Sequence, residues 1–140
     1  MGDRTWYMIK FRDTDRKKVY AALGEFDKEE EDRGIVTGEL GQMNYGGFSD
    51  NEELMEDGVV FAGSHGGGGS YGPHEFAYNG EDYGGVECNH NGDPVVPVIN
   101  GKIDDDRLNA VLEFELVRAL VKDIFQEHIE AWEVMNSVIN

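Results

Sequence analysis

The chain has 140 residues, 39% apolar and 11% aromatic, and its 29 acidic side chains outnumber 12 basic ones to give a net charge of −17. That length suits one domain around one core, and the apolar fraction excludes global disorder despite the charge. No apolar run approaches the ~18 residues that a membrane-spanning helix needs, and the lone Cys88 excludes a disulfide within the chain.

Residues Met1 to Trp6 show neither the charged-then-apolar pattern of a secretory signal nor a myristoylation motif. The expected address is therefore the cytoplasm, with Cys88 reduced.

Thr5 to Phe11, rich in β-branched and bulky side chains, predicts a first strand. Asp13-Thr14-Asp15 then supplies N-cap chemistry for a short helix with Val19, Tyr20, Ala22 and Leu23 on its apolar face, closed by Gly24. Lys28 to Arg33 reads as a charged, solvated connection, and Ile35-Val36-Thr37 as a second strand. A turn-rich, acidic centre spans 41–94. In it, Asp50 to Met55 predicts a capped helical turn, and Val59 to Ala62 a buried strand. The low-complexity loop Gly63 to Ser70 follows. His74 to Tyr78 and Tyr83 to Cys88 flank Asn79-Gly80-Glu81-Asp82 as a hairpin, Asn-Gly being a strong turn signal. Val95 to Ile99 reads as a last strand, which Pro97 confines to an edge or a bulge.

From about 104 to 137 the pattern predicts one long amphipathic helix, capped by Asp104-Asp105-Asp106. Leu108, Val111, Phe114, Val117, Leu120, Val121, Ile124, Phe125, His128, Trp132, Met135 and Ile139 recur at steps of three and four, apolar except for His128. A helix of about 30 residues spans roughly 45 Å, long against a globule of radius ~14 Å. It is therefore expected either to break or to reach a partner, and a homodimer through it is one expectation. His128, Trp6, Tyr7 and Trp132 are read as core side chains, any exposed aromatic among them being an interface anchor candidate. The fold class expected is α+β over residues 1–140: a small, mostly antiparallel sheet, one short N-terminal helix and the long C-terminal one.

Charge distribution is the main anomaly. Residues 1–33 hold eight basic and nine acidic side chains, and residues 102–140 hold four and nine. Residues 34–101 carry eleven acids and no lysine or arginine. Such a stretch repels nucleic acids and anionic membranes and attracts basic proteins. The first functional expectation is thus an inhibitor or adaptor that occupies a basic, nucleic-acid-binding surface of a partner protein. Its contact residues would be Glu39, Asp50, Glu52, Glu53, Glu56, Asp57, Glu75, Glu81, Asp82, Glu87 and Asp93. In its sharpest form this array imitates DNA, which carries one charge per ~1.7 Å. Phage-encoded blockers of restriction or CRISPR nucleases share the composition, an analogy of charge alone. The expectation requires those acids to form one continuous solvent-facing surface.

The alternative is a small-ligand or nucleotide-binding module, a sponge in its oligomeric form, built on Gly63–Gly72 with His65, Gly66, Gly67, Gly68, Tyr71 and His74 as its lining. A phosphate there would need Arg12, Arg16, Lys17 or Lys18 from another element. No P-loop lysine follows the glycines. Gly68-Gly69-Ser70-Tyr71-Gly72 satisfies a nucleophile-elbow pattern on paper, but Pro73 and the lack of a following helix oppose it. His65, His74, Cys88 and His90 are metal-ligand types without a known spacing, and the anionic surroundings disfavour a Cys88 thiolate. No catalytic residue, metal or cofactor is assigned.

Overall fold

A computed structural model describes residues 4–44, 47–67 and 72–139, side chains at 44, 48, 138 and 139 excepted. It is α+β. Strands β1 (Arg4–Arg12), β2 (Lys28–Asp32), β3 (Ile35–Asn44), β4 (Phe61–His65), β5 (His74–Tyr78) and β6 (Tyr83–Glu87) form a six-stranded sheet in the order β2-β3-β1-β4-β5-β6. Every pairing in it is antiparallel. Helices α1 (Arg16–Leu23) and α2 (Phe48–Glu56) cover one face and α3 (Asp105–Ile139) crosses the other. Among the described residues no helix is long and apolar enough to cross a membrane.

Period-two alternation splits the core into two layers. Tyr7, Ile9 and Phe11 of β1, with Val36, Phe61 and Phe76, pack against Val19 of α1 and Leu54 of α2. Ala77, Val86 and Cys88 on the opposite face meet Phe114, Val117, Val121 and Phe125 of α3. The helix runs unbroken for 35 residues, about 52 Å at 1.5 Å per residue. Asp104 caps it as expected: its Oδ1 accepts from the backbone N–H groups of Asp106 and Arg107 at 3.1 and 3.2 Å. Near its far end His128 Nε2 lies 2.8 Å from Asp13 Oδ1, and His128 and Trp132 pack over Gly34.

Several elements differ from the sequence expectation. Lys28 to Asp32, expected as a connection, is an edge strand with all five residues exposed. Pairing with β3 supplies the order that its charged composition does not, and its charges blunt the edge against further pairing. The tight turn from β2 to β3 uses two positive φ angles, Arg33 at 49° and Gly34 at 87°, as the twist of a two-residue hairpin demands. β3 continues to Asn44, and β4 begins two residues later than expected, which brings His65 onto a strand. The stretch Val95 to Ile99 splits at Pro97. Val95 N–H donates to Glu87 O, while β7 (Val98–Ile99) pairs only with β8 (Lys102–Ile103) in a separate hairpin. Trp6, expected in the core, is 51% exposed. It falls on the odd-even phase opposite Tyr7 and Ile9, at a part of the sheet that α3 leaves uncovered.

Candidate ligand cleft and the acidic surface

Antiparallel register sets Tyr7, His65, His74 and Glu87 in one cross-strand row at the end of the sheet. The two imidazoles stack with centroids 5.1 Å apart, and His65 also stacks on Phe76, which stacks on Tyr7. A line of rings therefore leads outward from the core. Beyond it the chain leaves β4 through Gly66 and Gly67 and returns to β5 through Gly72 and Pro73. These turns, with Trp6, Ser64, His65, His74, Glu75, Cys88 and His90, line a cleft of about 670 Å³.

Local sequence explains the shape. Gly66 N–H donates to Trp6 O, and a β-carbon at Gly66 would collide with Thr5 Oγ1 and the indole nitrogen of Trp6. A larger residue at this exit would have to displace both of those side chains. Each histidine Nδ1 bonds a carbonyl, that of Gly66 at 2.7 Å for His65 and that of Gly72 at 2.8 Å for His74. A carbonyl only accepts, so each Nδ1 carries a proton. Burial lowers the His65 pKa further than its Gly66 hydrogen bond raises it, and the neighbouring His74 adds to the lowering. Burial likewise raises Glu75 against the pull of Arg118. Cys88 is raised by burial and then by Glu75, so the thiol stays protonated at neutral pH. Among the described residues no three His, Cys, Asp or Glu side chains converge as a metal site.

Of the expected ligand-binding residues, His65, Gly66, Gly67 and His74 thus come together, while Gly68 and Tyr71 lie outside the described residues. The four cations proposed for a phosphate do not reach them. Arg12 ends β1, six strand positions from Trp6 or roughly 20 Å, and pairs with Asp15. Arg16 pairs with Glu29 and Glu31, Lys18 donates to Asp57 O, and Lys17 lies on the same helix. Among the described residues no lysine or arginine lines the cleft. Trp6, which sequence reasoning assigned to the core, instead stands between this cleft and a second hollow of about 460 Å³ that also includes Met8, Lys28, Glu39 and Leu40. The even positions of β1 carried no sequence signal that α3 would stop short of them.

The eleven acids do not form one face. Glu39 opposes Met8 on the α3 side of the sheet. Two are neutralised from α3: Glu87 lies 2.8 Å from Arg107 and Glu75 lies 3.7 Å from Arg118. Asp93 belongs to the turn after β6, where its N–H is bound by Asn89. The other seven group on one side. Asp50, Glu52, Glu53, Glu56 and Asp57 belong to α2 and its C-terminus, and Glu81 and Asp82 to the β5–β6 turn. Asn51 of α2 bonds both Tyr7 and Tyr83, which holds that turn beside the helix. Asp50 is half-buried, with its pKa raised by burial; the other six are exposed. None of the seven makes an ion pair within the described residues. Comparison with protein-family models, with curated proteins and with solved structures finds no match to this chain.

Proposed function

We propose that the protein is a small-ligand binding module whose site is the cleft between Trp6, His65 and His74. The observation that supports this most is the convergence of His65, Gly66, Gly67 and His74 with an exposed indole on one cavity of about 670 Å³. Cavities of roughly 300–1,000 Å³ with a few converging polar groups and shifted titratable side chains are the usual form of a ligand site. Its chemistry selects the ligand class. Two stacked imidazoles, an exposed indole and the lack of any lysine or arginine among the described lining residues favour an uncharged or cationic ring compound that lies against Trp6. A phosphate-bearing nucleotide is disfavoured, because the arginines nearest the cleft are held by carboxylates, Arg118 by Glu75 and Arg107 by Glu87, and the protein's field repels it. This reading assumes a reducing, cytoplasmic setting in which Cys88 stays a thiol.

The test is a thermal-shift screen of flat heteroaromatic fragments grouped as neutral, cationic and anionic, run on the parent chain and on His74→Ala. Stabilisation by neutral and cationic fragments, lost in the variant, is the expected result. Hits drawn mainly from the anionic group, or hits indifferent to His74→Ala, would overturn it.

A second reading rests on the seven unpaired carboxylates around α2: they dock on a basic surface of a partner protein. A lysine-rich peptide serves as the probe, with affinity falling steeply as salt rises. Retention of full affinity by Glu52→Lys/Glu53→Lys/Glu56→Lys would remove this reading.

A further inference from the structure

Helix α3 is apolar on two opposite faces. Phe114, Val117, Val121 and Phe125 meet the sheet. At 100° per residue, Leu108, Leu112, Leu116 and Leu120 fall on the other side, where they are 37%, 56%, 69% and 50% exposed. Asn109 and Ala119 are the other residues on this outer face between Asp105 and Asp123, so no ionisable side chain stands there. A surface helix ordinarily presents charge to solvent, and one that is apolar all round is buried. In a chain of net charge −17, an uncharged leucine ridge is the most conspicuous departure on the surface.

We infer that this ridge is the interface of a homodimer, with the α3 helices of two copies packed across each other. An uncharged face suits a second copy of so acidic a chain. Like-charged chains repel, and they approach at least cost through the surface that carries no charge. The four leucines together expose roughly 400 Å², about half the share each partner contributes to an interface of standard size, and the polar rim around an apolar core ordinarily supplies the rest. Side chains four apart form a ridge that packs against its own kind at about −50°. Beside it lies a hollow of about 630 Å³ lined by Leu116, Val117 and Leu120 of α3, Tyr83 of β6 and the carboxylates Glu113 and Asp82; its apolar walls can take a leucine from the second copy, and its carboxylates add to the repulsion that salt screens.

Sedimentation velocity on the full chain tests this. A dimer is expected, and its association should strengthen from low to moderate salt, because screening relieves repulsion between two anionic chains. Leu112→Gln/Leu116→Gln should weaken association at least about tenfold while leaving helicity and melting of the monomer unchanged, since both side chains are more than half exposed. Leu112→Glu/Leu116→Glu, which adds charge, should weaken it further. A parent chain that is monomeric at every concentration and salt, or a dimer that survives both double variants, overturns the inference.

Discussion

At Gly84 the backbone of β6 comes so close to α3 that a β-carbon there would stand 2.8 Å from the Cα of Phe114. The long helix is therefore seated on the sheet by direct backbone contact at this point, with Phe114 filling the space beside it. Gly84→Ala is expected to lift the helix and cost about 1–3 kcal/mol, the range of overpacked cores. At Gly85 the atoms nearest the added carbon belong to the Tyr83 ring, at 3.3 Å, and a side chain can shift. Urea unfolding of the two variants should show Gly84→Ala as the more damaging.

Tyr7 and Asn51 make the second critical contact. The buried Tyr7 hydroxyl donates to Asn51 Oδ1 at 2.6 Å, which ties β1 to α2. Tyr7→Phe leaves that buried oxygen without its donor, and a stability loss of about 1–3 kcal/mol follows. Asn51→Ala should lose more, because Tyr83 also bonds Asn51. Denaturant midpoints at constant slope provide the measurement.

The lowered pKa of His65 makes stability depend on pH in a definite direction. Burial favours the neutral ring in the folded state, so the unfolded chain binds the proton more readily. The contribution is complete above the ordinary value of 6.5 and is lost as pH falls from there towards the depressed folded value. On acidification from about pH 7.5 to about pH 5.5, the parent melting temperature should drop more than that of His65→Asn. Equal drops in the two proteins would contradict this account.

Cys88 should resist thiol reagents. It is 5% exposed, and burial together with the charge of Glu75 raises its pKa. Reaction with a disulfide reagent at neutral pH is expected to be slow in the folded chain and to accelerate on denaturation or well above pH 9.0, the ordinary thiol value. Rapid labelling of the folded protein at neutral pH would show that the thiol is neither buried nor raised.

Much of the architecture was legible in the linear chain, because it rests on local periodicity. The stripe from Leu108 onward, the Asp104 cap, the bulky first strand and the Asn79-Gly80 hairpin each follow from side-chain spacing or turn chemistry within a few residues. The gathering of His65 and His74 was partly legible, since both flank the glycine-rich loop. What remained hidden depends on register and on coverage. Lys28 to Asp32 becomes a strand only because β3 lies beside it, and Trp6 is exposed only because α3 crosses elsewhere. The eleven acids of 34–101 separate because strands and helices distribute them over different surfaces, and Arg107 and Arg118 arrive on α3 from outside that stretch.

Composition and spacing alone thus determined an acidic α+β chain with one long helix. Tertiary structure decided which charges stay unpaired, which ring lines the cleft and which leucines face outward. The physical reason is one of range. Helix and turn preferences act over three or four residues, whereas burial and ion pairing act between residues brought together from anywhere in the chain.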